Sequence, residues 1–159
     1  MSQSDVDSCD RWRQTHVGDV MSRALQRFEA RVLKLMSHDE SVPLALSNLA
    51  ARGQLTAAHV QITRHLPLRG ARLTDLAKRA GVSKQGMGKL VDQCEAWGLV
   101  HRSADRLDAR AQTIEFTAIG QAWLGAFERA VAQAEDEMRQ AIGQEVVTVI
   151  ALGLEAYGA

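Results

Sequence analysis

Cysteine is scarce in this 159-residue sequence, with Cys9 and Cys94 alone. Two thiols make no disulfide framework of the kind that staples small secreted domains. Proline is equally scarce, at two residues, which leaves long stretches free to coil as helix. The opening stretch from Met1 to Ser8 lacks the basic start and apolar run of a secretory signal. The longest apolar stretch, around Val146 to Leu154, is interrupted by Thr148 and Gly153 and is too short to span a bilayer. A cytoplasmic location with no membrane partner is the expectation. Catalytic signatures are missing as well. There is no Gly-rich phosphate loop after a strand and no Ser/His/Asp set, and the five histidines (His16, His38, His59, His65, His101) show no close metal-ligand spacing. The chain therefore reads as a non-enzyme that needs neither cofactor nor metal.

What is present fits one globular domain with a core of its own: 46% hydrophobic and 24% charged residues, without repeats or long linkers. The formal charge is zero, which by itself argues against a polyanionic partner, but it is unevenly spread. From Met1 to Thr63 seven Lys/Arg face seven Asp/Glu; from Arg64 to Arg110 ten face five; from Ala111 to Ala159 two face seven. Only the basic middle would turn toward nucleic acid.

Apolar residues from Val17 through Val20, Met21, Leu25, Phe28, Val32 and Leu35 to Met36 recur at three- and four-residue steps, predicting an amphipathic helix of about five turns. Pro43 suits a first helical turn and Gly53 a stop. Thr56 caps a third helix that Pro67 ends. Thr74 is placed to cap Asp75 to Ala80, with Gly81 as a left-handed terminator, and Ser83 caps a helix from Lys84 to Trp97 that stops at Gly98. Two helices, a Gly-containing turn and a basic second helix form a helix-turn-helix pattern.

Beyond Gly98 the period changes. Leu99 to Arg102 and Thr113 to Phe116 read as strands around a polar tip, 103–112, so a β-hairpin is expected. Thr117 caps a long helix that Gly143 breaks, and a last apolar helix runs through Val146, Val147, Ile150, Leu154 and Tyr157.

In the helix starting at Lys84, the residues Met87, Leu90, Val91 and Cys94 define the buried face and leave Lys84, Gln85, Gly88, Lys89 and Asp92 opposite. A major groove admits one α-helix, and Lys84, Gln85 and Lys89 supply hydrogen-bonding groups for base edges. The helix starts at Thr74 and Ser83 offer backbone N–H groups to phosphate. The hairpin tip offers Arg102, Arg106 and Arg110 as candidates for a narrow minor groove. Gly86 and Gly88 each weaken the helix by roughly 1 kcal/mol relative to Ala. Close approach to DNA and tight packing on the preceding helix explain that equally well. Cys94, on the apolar face, reads as a buried structural thiol rather than a redox switch.

Leu73-Thr74-Asp75-Leu76-Ala77, Val82-Ser83-Lys84-Gln85, Leu90-Val91-Asp92 and Gly98-Leu99-Val100 resemble the MarR family of transcriptional regulators. So does the wing, Arg102-Ser103-Ala104-Asp105-Arg106-Leu107-Asp108-Ala109-Arg110, followed by Ile114 to Gly120. The resemblance implies a mainly α fold with a small β-wing: a winged helix-turn-helix over about 55–117, flanked by dimerisation helices over about 17–37 and 118–158, in a single unit spanning 17–159 behind a flexible 1–16. It implies a homodimeric repressor on a pseudo-palindromic double-stranded operator. Arg110 would enter the minor groove, oriented by Asp108, and Ser83 to Trp97 would form the recognition helix. Gly88 departs from the Ser or Thr that many members carry there. Members of the family often bind small aromatic acids or phenols, and Trp12, His16 and Arg64 are the candidate ligand residues. The alternative is a helical interaction module, such as an antagonist of another regulator, which would need neither a basic wing nor a recognition helix.

Overall fold

The computed structural model describes Trp12, residues 15–105 and residues 111–159. The expectations for a flexible 1–16, for Cys9, and for Arg106, Asp108 and Arg110 fall wholly or mostly outside the described residues. In chain order the elements are α1 (Val17–Ser37), α2 (Leu44–Ala51), α3 (Ala57–His65), β1 (Ala71–Arg72), α4 (Leu73–Ala80), α5 (Lys84–Ala96), β2 (Val100–Ala104), β3 (Gln112–Phe116), α6 (Ala118–Ile142) and α7 (Gln144–Gly158). The fold is mainly α with a small antiparallel sheet, ordered β1-β3-β2.

Local chemistry sets most of these boundaries. Ser83 Oγ accepts the Gly86 N–H at 3.0 Å and Thr117 Oγ1 accepts the Gly120 N–H at 3.0 Å, satisfying donors that a helix start leaves unpaired. Gly81 ends α4 with φ 67° and ψ 26°, while its N–H bonds Lys78 O and the Val82 N–H bonds Ala77 O. That pair of bonds is a Schellman stop, which needs the left-handed backbone that glycine adopts at little cost.

Three expectations require correction. Thr74 does not cap α4: the helix begins at Leu73 with Arg72 as the N-cap residue, and Thr74 lies exposed in the first turn. The reason is β1. Arg72 pairs with Thr113 in the sheet, so the backbone stays extended through Arg72 and turns helical at once. The second correction concerns Arg102, which lies within β2 opposite Ile114 and not at the hairpin tip. Pro43 sits one position earlier than expected, as the N-cap residue of α2.

The core runs from Val32 and Met36 on α1, through Leu55, Ile62, Leu76, Met87, Val91 and Ile114, to Trp123 and Ala126 on α6. Trp123 is 1% exposed, and its indole N–H donates to the buried Thr63 hydroxyl at 2.8 Å, tying α6 to α3. Where α6 begins, a Cβ on Gly120 would lie 1.9 Å from Leu99 O, so only glycine lets this helix approach the entry to β2.

Burial is lopsided along the outer helices. Val32 and Met36 in the second half of α1 are buried, whereas Val17, Val20, Met21 and Leu25 are exposed. On α7 no residue is buried, and Val146, Val149, Ile150, Leu152, Leu154 and Tyr157 all face outward. No described helix is long and apolar enough to cross a membrane.

Candidate nucleic-acid interface

Helix α5 is seated by one face. Met87 and Val91 are fully buried, Cys94 is 1% exposed, and Leu90 is partly covered. Ser83, Lys84, Gln85, Lys89 and Asp92 are exposed. The expected division into a core face and an outward polar face is therefore present, with two lysines and a glutamine concentrated in the first two turns. Burial pushes the Cys94 thiol up to about 12, which makes it a packing group with almost no thiolate at neutral pH.

The two glycines of α5 differ in their surroundings. A Cβ on Gly88 would meet only Leu73 Cδ2, at 3.8 Å, an ordinary contact, whereas a Cβ on Gly86 would stand 3.1 Å from the Ser83 cap oxygen. Packing against α4 does not require glycine at position 88.

The C-terminal half of α5 is held from two sides. From α3, His59 is 7% exposed; its Nδ1 accepts the Thr56 N–H at 3.1 Å and its Nε2 lies 2.9 Å from Gln93 Oε1. Its ring stands 4.8 Å from that of Trp97. From β2, the Arg102 guanidinium pairs with Asp92 at 2.5 Å and with Glu95, and the Arg102 backbone N–H donates to Glu95 Oε1 at 3.1 Å. Sequence patterning missed both ties, because each joins residues that only the folded chain brings together. The wing strands β2 and β3 are fully paired from Val100↔Phe116 to Ala104↔Gln112. At the open end, Asp105 accepts from Arg72 Nε at 3.0 Å and from the Thr113 hydroxyl at 3.2 Å.

The three ligand candidates do not converge. Trp12 and His16 have ring centroids 6.0 Å apart, and His16 caps α1 by accepting the Asp19 N–H at 3.2 Å. Arg64, on α3, lies 3.6 Å from Glu29 over a crevice of about 10 Å3 lined also by Val32, Ala57, Val60 and Phe127. That volume matches roughly one water molecule. A far larger open cleft, about 1110 Å3, lies between the 67–72 segment, α4 and the wing. It contains none of the three candidates, and its lining holds three arginines (Arg69, Arg72, Arg79) and three acids (Asp75, Asp105, Glu115), of which Arg72 and Asp105 pair at 3.0 Å. Among the described residues, no group of three His, Cys, Asp or Glu side chains could hold a metal ion.

A capped basic helix behind a Schellman turn, followed at once by a paired hairpin, defines a winged helix-turn-helix. Residues 54–111 match the sequence model of the MarR family. Solved structures extend the likeness beyond it. The transcriptional repressor CouR bound to a 23-mer DNA duplex superposes with a TM-score of 0.69 at 21% identity, covering 93% of this chain and 96% of that one. Apo MarR from E. coli gives 0.63 at 18% identity, covering 89% and 96%. Bordetella bronchiseptica BpsR, whose DNA binding is regulated by 6-hydroxynicotinic acid, gives 0.63 at 20%, covering 90% and 98%. At these identities the flanking helices share the fold. No curated protein matches the sequence.

Proposed function

We propose that the protein is a sequence-specific DNA-binding transcriptional regulator that acts as a homodimeric repressor on a pseudo-palindromic operator. The observation that carries this reading is the exposed Lys84, Gln85 and Lys89 on a helix whose other face is locked into the core. Donors at that spacing reach base edges and phosphates when the helix lies in a major groove. Ser83 and Thr74, at or near helix starts, are assigned to phosphate contacts, and Gly88 to close approach. Arg106 and Arg110, with Asp108 orienting Arg110, are assigned to the minor groove on the strength of the family resemblance.

The bare apolar faces of α1 and α7 support the dimer. Their exposed apolar residues favour a partner surface, and in this reading a second copy covers them with the same patch. Relief by a small aromatic or phenolic acid is part of the proposal. The crevice between Arg64 and Glu29 is its assigned entry, and it must widen to admit a ring. Among the described residues, no feature favours an enzyme.

The test is selection of bound duplexes from a random pool by the full chain. Two inverted half-sites with centres about one helical turn apart are expected. An enriched site without two-fold symmetry contradicts the dimer, and no enrichment at all contradicts sequence-specific binding.

A further inference from the structure

We propose that Arg102 is a positioning residue for DNA binding: it locks the wing to the recognition helix and supplies the cation that the end of that helix lacks. The inference rests on the DNA-binding reading above. Its geometric basis is a three-bond clamp. Glu95 receives both the backbone N–H and the guanidinium of Arg102, and the same guanidinium reaches Asp92 one turn earlier. The Arg102 side chain is 22% exposed, which lowers the screening that makes most surface pairs ineffective.

Two further observations point the same way. No basic residue occupies the last turn of α5, although a helix C-terminus favours a positive charge and here carries two carboxylates close by. Arg102 delivers that charge from the neighbouring strand. It also sits mid-strand opposite Ile114, which is 1% exposed, so a shift of α5 at this point is transmitted through the sheet to the wing. Helix α5 has 13 residues and is therefore about 20 Å long. Fixing its second half against both α3 and β2 sets the angle at which Lys84, Gln85 and Lys89 are presented relative to the wing. Asp92 and Glu95, left unpaired, would also repel phosphates beside that face.

The clamp makes a prediction opposite to that of simple charge counting. Fluorescence anisotropy with a duplex recovered from the random pool would compare the wild type with R102Q, R102K and D92A/E95A. R102Q is expected to bind about fivefold more weakly. The slope of affinity against salt should not change, since no phosphate contact is lost. R102K, which keeps the charge but not the two-armed fork, should fall between. D92A/E95A makes the face two charges more positive and should nevertheless bind more weakly; adding R102Q to it should bring little further loss. Circular dichroism melting above the assay temperature certifies each variant as folded, and alanine suits a helix at both acidic positions. Tighter binding by D92A/E95A, with a shallower salt slope in R102Q, would make Arg102 a phosphate contact and overturn the clamp. Wild-type affinity in all three variants would overturn it equally. A wild-type chain that binds no duplex would bring down the DNA-binding reading itself.

Discussion

Replacing Gly88 by alanine tests the account of the recognition helix from the side of stability. Glycine within a helix is less favourable than alanine by roughly 1 kcal/mol, because its unfolded chain loses more freedom on folding. The new methyl group would stand 3.8 Å from Leu73 Cδ2, at ordinary contact distance, so no clash offsets the gain. For a chain of this size, about 1 kcal/mol corresponds to a rise in Tm of roughly 2–4 °C. Gly86→Ala serves as the internal control. Its methyl group would lie 3.1 Å from the Ser83 hydroxyl, which caps the helix through the Gly86 N–H, and losing that cap costs about 1 kcal/mol. The two effects then nearly cancel. Thermal melts by far-ultraviolet circular dichroism on both variants, with DNA affinity measured in parallel, complete the experiment. Gly88→Ala should melt higher yet bind DNA more weakly, as expected of a position left bare for close approach to the duplex. A lower melting point for Gly88→Ala, or an equal gain from Gly86→Ala, would refute the reasoning.

Two other predictions concern side chains away from the DNA face. In a Cys9→Ser background the remaining thiol, Cys94, should resist a disulfide reagent at pH 8 and react only in denaturant, because burial pushes it up to about 12. Reaction of the folded protein would show that α5 opens readily. Asp39 accepts hydrogen bonds from Arg129 at 2.8 Å and from Ser41, and these hold its carboxyl well below the usual carboxylate range. The stabilisation is complete above the unfolded-state value near 4 and fades as the pH drops below it. The Tm advantage of the wild type over Asp39→Asn should therefore narrow between pH 7 and pH 3; a constant gap would count against the pair.

Much of the fold was legible because its signals are local. The caps at Ser83 and Thr117, the stops at Gly81, Gly98 and Gly143, and the apolar stripe of α5 all act within a few residues of themselves. What escaped was tertiary. Strand β1 has two residues, too few for any period, and exists because β3 offers it a ladder; that pairing displaced the start of α4 and removed Thr74 from the cap. Arg102 has the sequence look of a charged tip, yet it turns back onto α5 and joins Asp92 and Glu95. His59 carried no spacing signal and is tied to the recognition helix only through the fold. The ligand candidates share only residue type, and the structure leaves Arg64 at a small crevice apart from the Trp12–His16 pair. The long apolar helices, by contrast, announced an uncovered surface that α1 and α7 do expose.

The outward face of α5 can be interrogated directly by titrating the selected duplex with the triple variant K84A/Q85A/K89A. These side chains are exposed and alanine favours the helix, so its melting curve should match or exceed that of the wild type. Specific binding should disappear, with the enriched and scrambled duplexes becoming indistinguishable. Undiminished discrimination between the two duplexes by the folded variant would contradict the assignment of this helix to the DNA.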